Sequence, residues 1–167
     1  MFTLLTRIAV FFILFSAHPY AQAHSSLTND EKKIIAEVKN DLPQTLRGIE
    51  KSVNINSGTM NFSGVKAVGK LMIAQLDTLG FDTQWLEGNS FNRAGHVVAQ
   101  FNSENPLAKK VLMIGHLDTV FAKKDDFQKY IQLSDTEISG PGIVDMKGGN
   151  AIIIAALSAL KKAKLLD

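Results

Sequence analysis

Cysteine is absent from this 167-residue sequence, and the absence removes several chemistries at once. There can be no disulfide, no thiolate metal ligand, no lipid-modified cysteine and no cysteine nucleophile. Any metal site must be built from histidine and carboxylate, and histidine itself is scarce, at 4. An excess of one charge is also lacking: Lys+Arg number 18 against Asp+Glu 16, a net charge of +2. No basic stripe or aromatic-interleaved patch occurs, which argues against a nucleic-acid partner. Lys123-Lys124 is offset by Asp125-Asp126 and reads as a solvated loop. A membrane-spanning helix needs about 20 apolar residues, and the N-terminal run Ile8 to Ala17 is too short for one.

That run follows Arg7 and precedes Pro19 and Ala21-Gln22-Ala23, the pattern of a cleaved secretory signal. Residues 1–23 are expected to be a signal peptide and 24–167 the exported chain, periplasmic or secreted, without membrane contact after cleavage. At 46% hydrophobic and 20% charged residues, the remainder has the composition of one globular domain.

Thr28-Asn29-Asp30-Glu31 reads as a capping box opening a first helix, with Ile34, Ile35, Val38 and Leu42 on its apolar face. Leu42-Pro43 should bend or end it, unless Leu46 and Ile49 extend the face. Val53 to Thr59 reads as an extended piece entering a polar loop. A second helix is expected from an N-cap at Ser63, with Val65, Val68, Met72, Leu76 and Leu79 inward and Gly80 at the C-cap. Strands follow at Phe81 to Glu87 and His96 to Phe101. Lys109 to His116 is a continuous apolar run, the pattern of a strand buried on both faces. Tyr130 to Leu133 and Thr136 to Ser139 suggest a small hairpin. Asn150 to Lys162 suggests a helix with Ile152, Ile153, Ala156, Leu157 and Leu160 inward. This order implies an α/β sandwich around a mixed sheet, in which ligands gather beyond the carboxyl ends of strands. His116 lies at one such end.

A metal-binding histidine presents one ring nitrogen and has the other held by an acceptor. Asp118, two residues on, can turn back to do this. Asp145 follows in a turn framed by Gly140-Pro141-Gly142 and Gly148-Gly149. One carboxylate can bridge two cations about 3.5–4 Å apart, the separation of two-metal hydrolases. Other readings of the same residues stand beside this one: a polar strand terminus at His116, a helix-capping aspartate at Asp145, or a phosphate-cradling turn. The Walker A and dinucleotide fingerprints do not fit the glycine spacing. His18 falls in the signal, His24 at the mature N-terminus, and His96 begins a strand.

Residues 115–121, Gly-His-Leu-Asp-Thr-Val-Phe, and 140–150, Gly-Pro-Gly-Ile-Val-Asp-Met-Lys-Gly-Gly-Asn, resemble the two signature segments of the M20 metallopeptidase family. The likeness is greatest to its glutamate carboxypeptidase branch. It extends from about Leu27 to Asp167 and includes Ser57-Gly58-Thr59. The resemblance implies an α/β, zinc-exopeptidase-like (phosphorylase/hydrolase-like) three-layer sandwich, here incomplete. It implies two Zn2+ per site, with His116 on one zinc, Asp145 bridging both and Asp118 orienting His116 as the catalytic-site carboxylate. It also implies a cis peptide at Asp145-Met146.

The family's Glu-Glu pair, further acidic ligand, C-terminal histidine and lid domain have no counterpart here. The chain is therefore expected to be the N-terminal part of an M20 catalytic domain, inactive alone. The implied substrate is a small peptide or N-acyl amino acid with a free carboxylate, and full-length relatives often form homodimers. N-acyl amino acid deacylation on the same fold, or a non-catalytic interaction module, are the alternatives.

Overall fold

Residues 26–166 are described by the structure, a computed structural model. The expected signal segment, His18 and His24 lie outside the described residues. The first helix, α1, spans Asn29–Val53 and opens on the expected capping box. The Thr28 hydroxyl accepts from the Glu31 amide at 3.2 Å, and Glu31 reaches back to the Thr28 amide at 2.7 Å. Contrary to expectation, the helix continues through Pro43. Proline removes one ladder donor, but it sits on the exposed side, where the freed carbonyl can meet water. Packing of α1 against the last helix sustains both halves.

The second helix, α2, spans Phe62–Thr78. Its N-cap is Asn61, whose side chain accepts from the Gly64 amide at 3.3 Å. Ser63 instead donates to Asn61 at 3.1 Å. Two candidate capping residues so close together cannot be ranked by type alone. Gly80 follows the helix at φ +85°, as its C-terminal position implied. Strands β1 (Asp82–Glu87) and β2 (Gly95–Gln100) pair antiparallel, with Trp85 opposite Val97. A short hairpin, β3 (Ile131–Gln132) with β4 (Ile138–Ser139), follows. Thus the described residues hold two separate two-stranded ladders, not one mixed sheet.

Residues 109–116 depart furthest from expectation. They join no ladder among the described residues, and Val111, Leu112 and Ile114 are 77–82% exposed. An apolar run reports what a segment would bury, not that a neighbour is present to cover it. The segment is tied down at its far end, where the Asn150 side chain donates to the His116 carbonyl and, just beyond, Gly58 and Thr119 form a parallel bridge.

The last helix, α3 (Gly148–Lys162), buries Leu157 and Ala159. Leu157 joins Leu76 of α2 and Leu79, just past its end, in the core, with Phe81, Val97 and Ile153 packed around them. Ile152 and Ala156, expected inward, are exposed, Ile152 at 70%. On α1, likewise, Ile35, Val38, Leu42 and Leu46 stay exposed while Ile49 and Val53 are buried. The stretch Ile143–Lys162 is long and apolar enough by composition to cross a membrane. Here it is tied to α1, since Asp41 accepts from Ser158 at 2.9 Å and pairs with Lys162. Replacing Leu157 by Ala should destabilise the fold by about 2–5 kcal/mol through the cavity left among Leu76 and Leu79. Denaturant unfolding would show this, and a loss below about 1 kcal/mol would contradict the core placement.

Candidate metal centre

Three chain segments meet at the site: the stretch after α1, the stretch ending the apolar run, and the turn before α3. Residues 57–59 and 119 are stitched together by backbone bonds, Thr119 amide to Ser57 carbonyl at 2.9 Å and Thr59 amide to Thr119 carbonyl at 3.0 Å. Asn150, on the first turn of α3 and buried, donates from its side chain to the His116 carbonyl at 2.7 Å. This close approach requires glycine at 115, because a Cβ there would lie 2.4 Å from the Asn150 side-chain oxygen. The turn before α3 begins at Gly142, which is left-handed at φ +76° and has Thr119 packed against it.

On this frame His116 and Asp145 come together. His116 Nε2 lies 2.8 Å from Asp145 Oδ1, although the residues are 29 apart in sequence. The other nitrogen, Nδ1, lies 2.9 Å from the main-chain oxygen of Asp118 and 3.4 Å from its carboxylate. So Asp118 does hold His116, chiefly through its backbone. Its carboxylate is itself fixed by the Thr59 hydroxyl, which donates to Oδ2 at 2.6 Å. The peptide bond Asp145-Met146 is cis, as the resemblance implied. Asp145 is 77% exposed and His116 43%. An open groove of about 570 Å³ is lined among others by Thr59, Asn61, Thr119 and Lys123. The remaining described histidine, His96, stacks on Phe91.

Both ring nitrogens of His116 face oxygens, and only the imidazolium can donate to both. Partial burial pushes the pKa down, but it is outweighed by the hydrogen bond to Asp145, the Asp118 carbonyl and the charges of both carboxylates. The net result is a pKa raised above 6.5. If a metal ion bound here, His116 Nε2 and Asp145 Oδ1 would be the atoms to hold it. Imidazole nitrogen and carboxylate oxygen are suitable zinc donors, and the oxygen on Nδ1 is the usual support for a ligating histidine. The residues present therefore fit such an ion as part of a donor set. Among the described residues no group of three or more potential ligands occurs.

Lys147 was not legible as a site residue. It is 3% exposed, and its ammonium donates to the carbonyls of Ser52 at 2.8 Å and Ile55 at 2.9 Å, where α1 ends. Burial pulls its pKa down to about 8. One signal was available: a lysine at the N-terminus of a helix opposes the helix dipole, so its charge must be used elsewhere.

Because its folded pKa is raised, His116 stabilises the metal-free fold below pH 6.5. That contribution is lost as the pH rises through the raised value. The group is half exposed, so the effect should stay under about 1 kcal/mol. Denaturation midpoints of the native chain and His116→Gln in chelator should differ well below pH 6.5 and converge well above it. A gap independent of pH would contradict the pairing.

No family model matches the chain. In sequence it is similar to carboxypeptidase G2 from Pseudomonas sp. (strain RS-16), 29% identical over 146 residues. That match covers 87% of this chain and 35% of the relative, so the chain spans about a third of that protein's length. In structure it is similar to the dipeptidase Dug1p from Saccharomyces cerevisiae, with a TM-score of 0.65 and 20% identity. The similarity covers 80% of this chain and 31% of that one, and it shows a shared α/β fold. The chain is thus similar in sequence to carboxypeptidase G2 and in fold to the dipeptidase Dug1p.

Proposed function

We propose that this chain forms part of the catalytic domain of a zinc-dependent exopeptidase that cleaves C-terminal peptide or amide bonds. The domain would be a three-layer sandwich. Its substrates would be small peptides or N-acyl amino acids with a free carboxylate. The observation that supports this most directly is the 2.8 Å approach of His116 Nε2 to Asp145 Oδ1. Zinc, when bound, supplies Lewis acidity and a water acidic enough to ionise near neutral pH. The chain's own residues prepare for it. His116 presents Nε2, with Asp118 holding Nδ1; Thr59 holds Asp118; and Asp145 offers an exposed carboxylate from a turn that keeps it facing His116.

Catalytic zinc normally takes three protein ligands and a water, and the described residues supply two. The remaining donors and a glutamate general base are proposed to come from sequence beyond these residues. Export to the periplasm or medium is proposed from residues 1–23.

Calorimetric titration with zinc should detect one weak site, with affinity falling at least about tenfold in His116→Ala or Asp145→Ala. Unchanged affinity in both variants would remove these residues from the site. The purified chain with zinc should not hydrolyse an N-acyl glutamate, and turnover that disappears in Asp145→Ala would show that the donor set is complete after all.

A further inference from the structure

Asp145 sits on a turn whose own backbone offers little to fix it. It is 77% exposed, and its main chain departs from helical geometry at φ −130°, ψ 92°. Two residues on, the chain plunges inward. The Lys147 amide donates to the Gly142 carbonyl at 2.8 Å, closing the turn. Its side chain then passes under Gly142 and ends on the carbonyls of Ser52 and Ile55. The Ser52 carbonyl belongs to the last turn of α1 and that of Ile55 lies two residues past its end, and a lysine is a suitable donor to carbonyls at such a place.

The same stretch continues into Ser57-Gly58-Thr59, which holds Thr119 and Asp118 beside His116. One ammonium thus ties the turn bearing Asp145 to the segment that positions His116. An apolar residue of similar volume would fill the space but leave both carbonyls short of a donor. The ammonium satisfies them and fixes the place of the turn at once.

We propose that Lys147 is a positioning residue that sets Asp145 against His116 by anchoring its turn to the carbonyls at the end of α1. The consequence for metal binding rests on the proposed zinc site; the consequence for the His116–Asp145 contact does not.

The absence of cysteine makes a clean test possible. Lys147→Cys introduces the only thiol, which can be alkylated with 2-bromoethylamine in denaturant to restore an ammonium at nearly the original reach before refolding. Lys147→Met keeps the volume and removes the donor. The readouts are the imidazole nitrogen NMR shifts of His116 at one fixed pH, assigned by comparison with His116→Gln, and the zinc affinity.

Lys147→Met, and Lys147→Cys before alkylation, should lose the native His116 shift and bind zinc roughly tenfold more weakly. Aminoethylation should restore both. A native His116 shift in Lys147→Met, or a loss that aminoethylation does not repair, would overturn the proposal. If Lys147→Met fails to fold, the refolded aminoethylated chain still decides by whether the shift returns. If the native chain binds no zinc, the metal reading fails, while the His116 shift still judges Lys147.

Discussion

The contact between His116 and Asp145 is the feature on which the functional reading depends, and it is too exposed to hold itself together. The two side chains are 43% and 77% exposed, and an ion pair in that setting contributes about 0–1 kcal/mol. A pair that weak does not bring together two residues 29 apart in sequence. Its geometry must be imposed by interactions shielded from water.

Those interactions lie just behind the contact. Asn150 donates to the carbonyl of His116, the backbone of Thr119 is bonded on both sides to Ser57 and Thr59, and Lys147 grips the end of α1. Each bond satisfies a polar group that is buried or partly buried, and leaving such a group unsatisfied costs about 1–3 kcal/mol. Two polar atoms in this layer, Ser57 Oγ and Asn150 Oδ1, have no partner among the described residues. The site is therefore an exposed acidic and basic tip on a buried polar frame, and the frame joins α1 and α3 to the loop after the apolar run.

Much of this architecture was legible. The capping box at Thr28, the stripe Val65–Val68–Leu76–Leu79, Gly80 beyond α2 and the hairpin around Ser134 are local patterns, and each formed where its pattern pointed. His116 and Asp145 were found because their residue types and glycine surroundings are unusual. Failures occurred where the outcome depends on a distant neighbour. Pro43 is tolerated because α3 supports α1, and Ile152 and the run 109–116 are exposed because nothing among the described residues covers them. The frame residues were missed for the same reason: Thr59, Lys147 and Asn150 act on partners 59, 95 and 34 residues away.

The most direct test is a crystal of this chain grown with zinc and measured at the zinc absorption edge. An anomalous peak between the imidazole of His116 and the carboxylate of Asp145, replacing their direct hydrogen bond, is the predicted result. A well-ordered site with the two side chains still bonded to each other, and zinc absent or bound elsewhere, would contradict it.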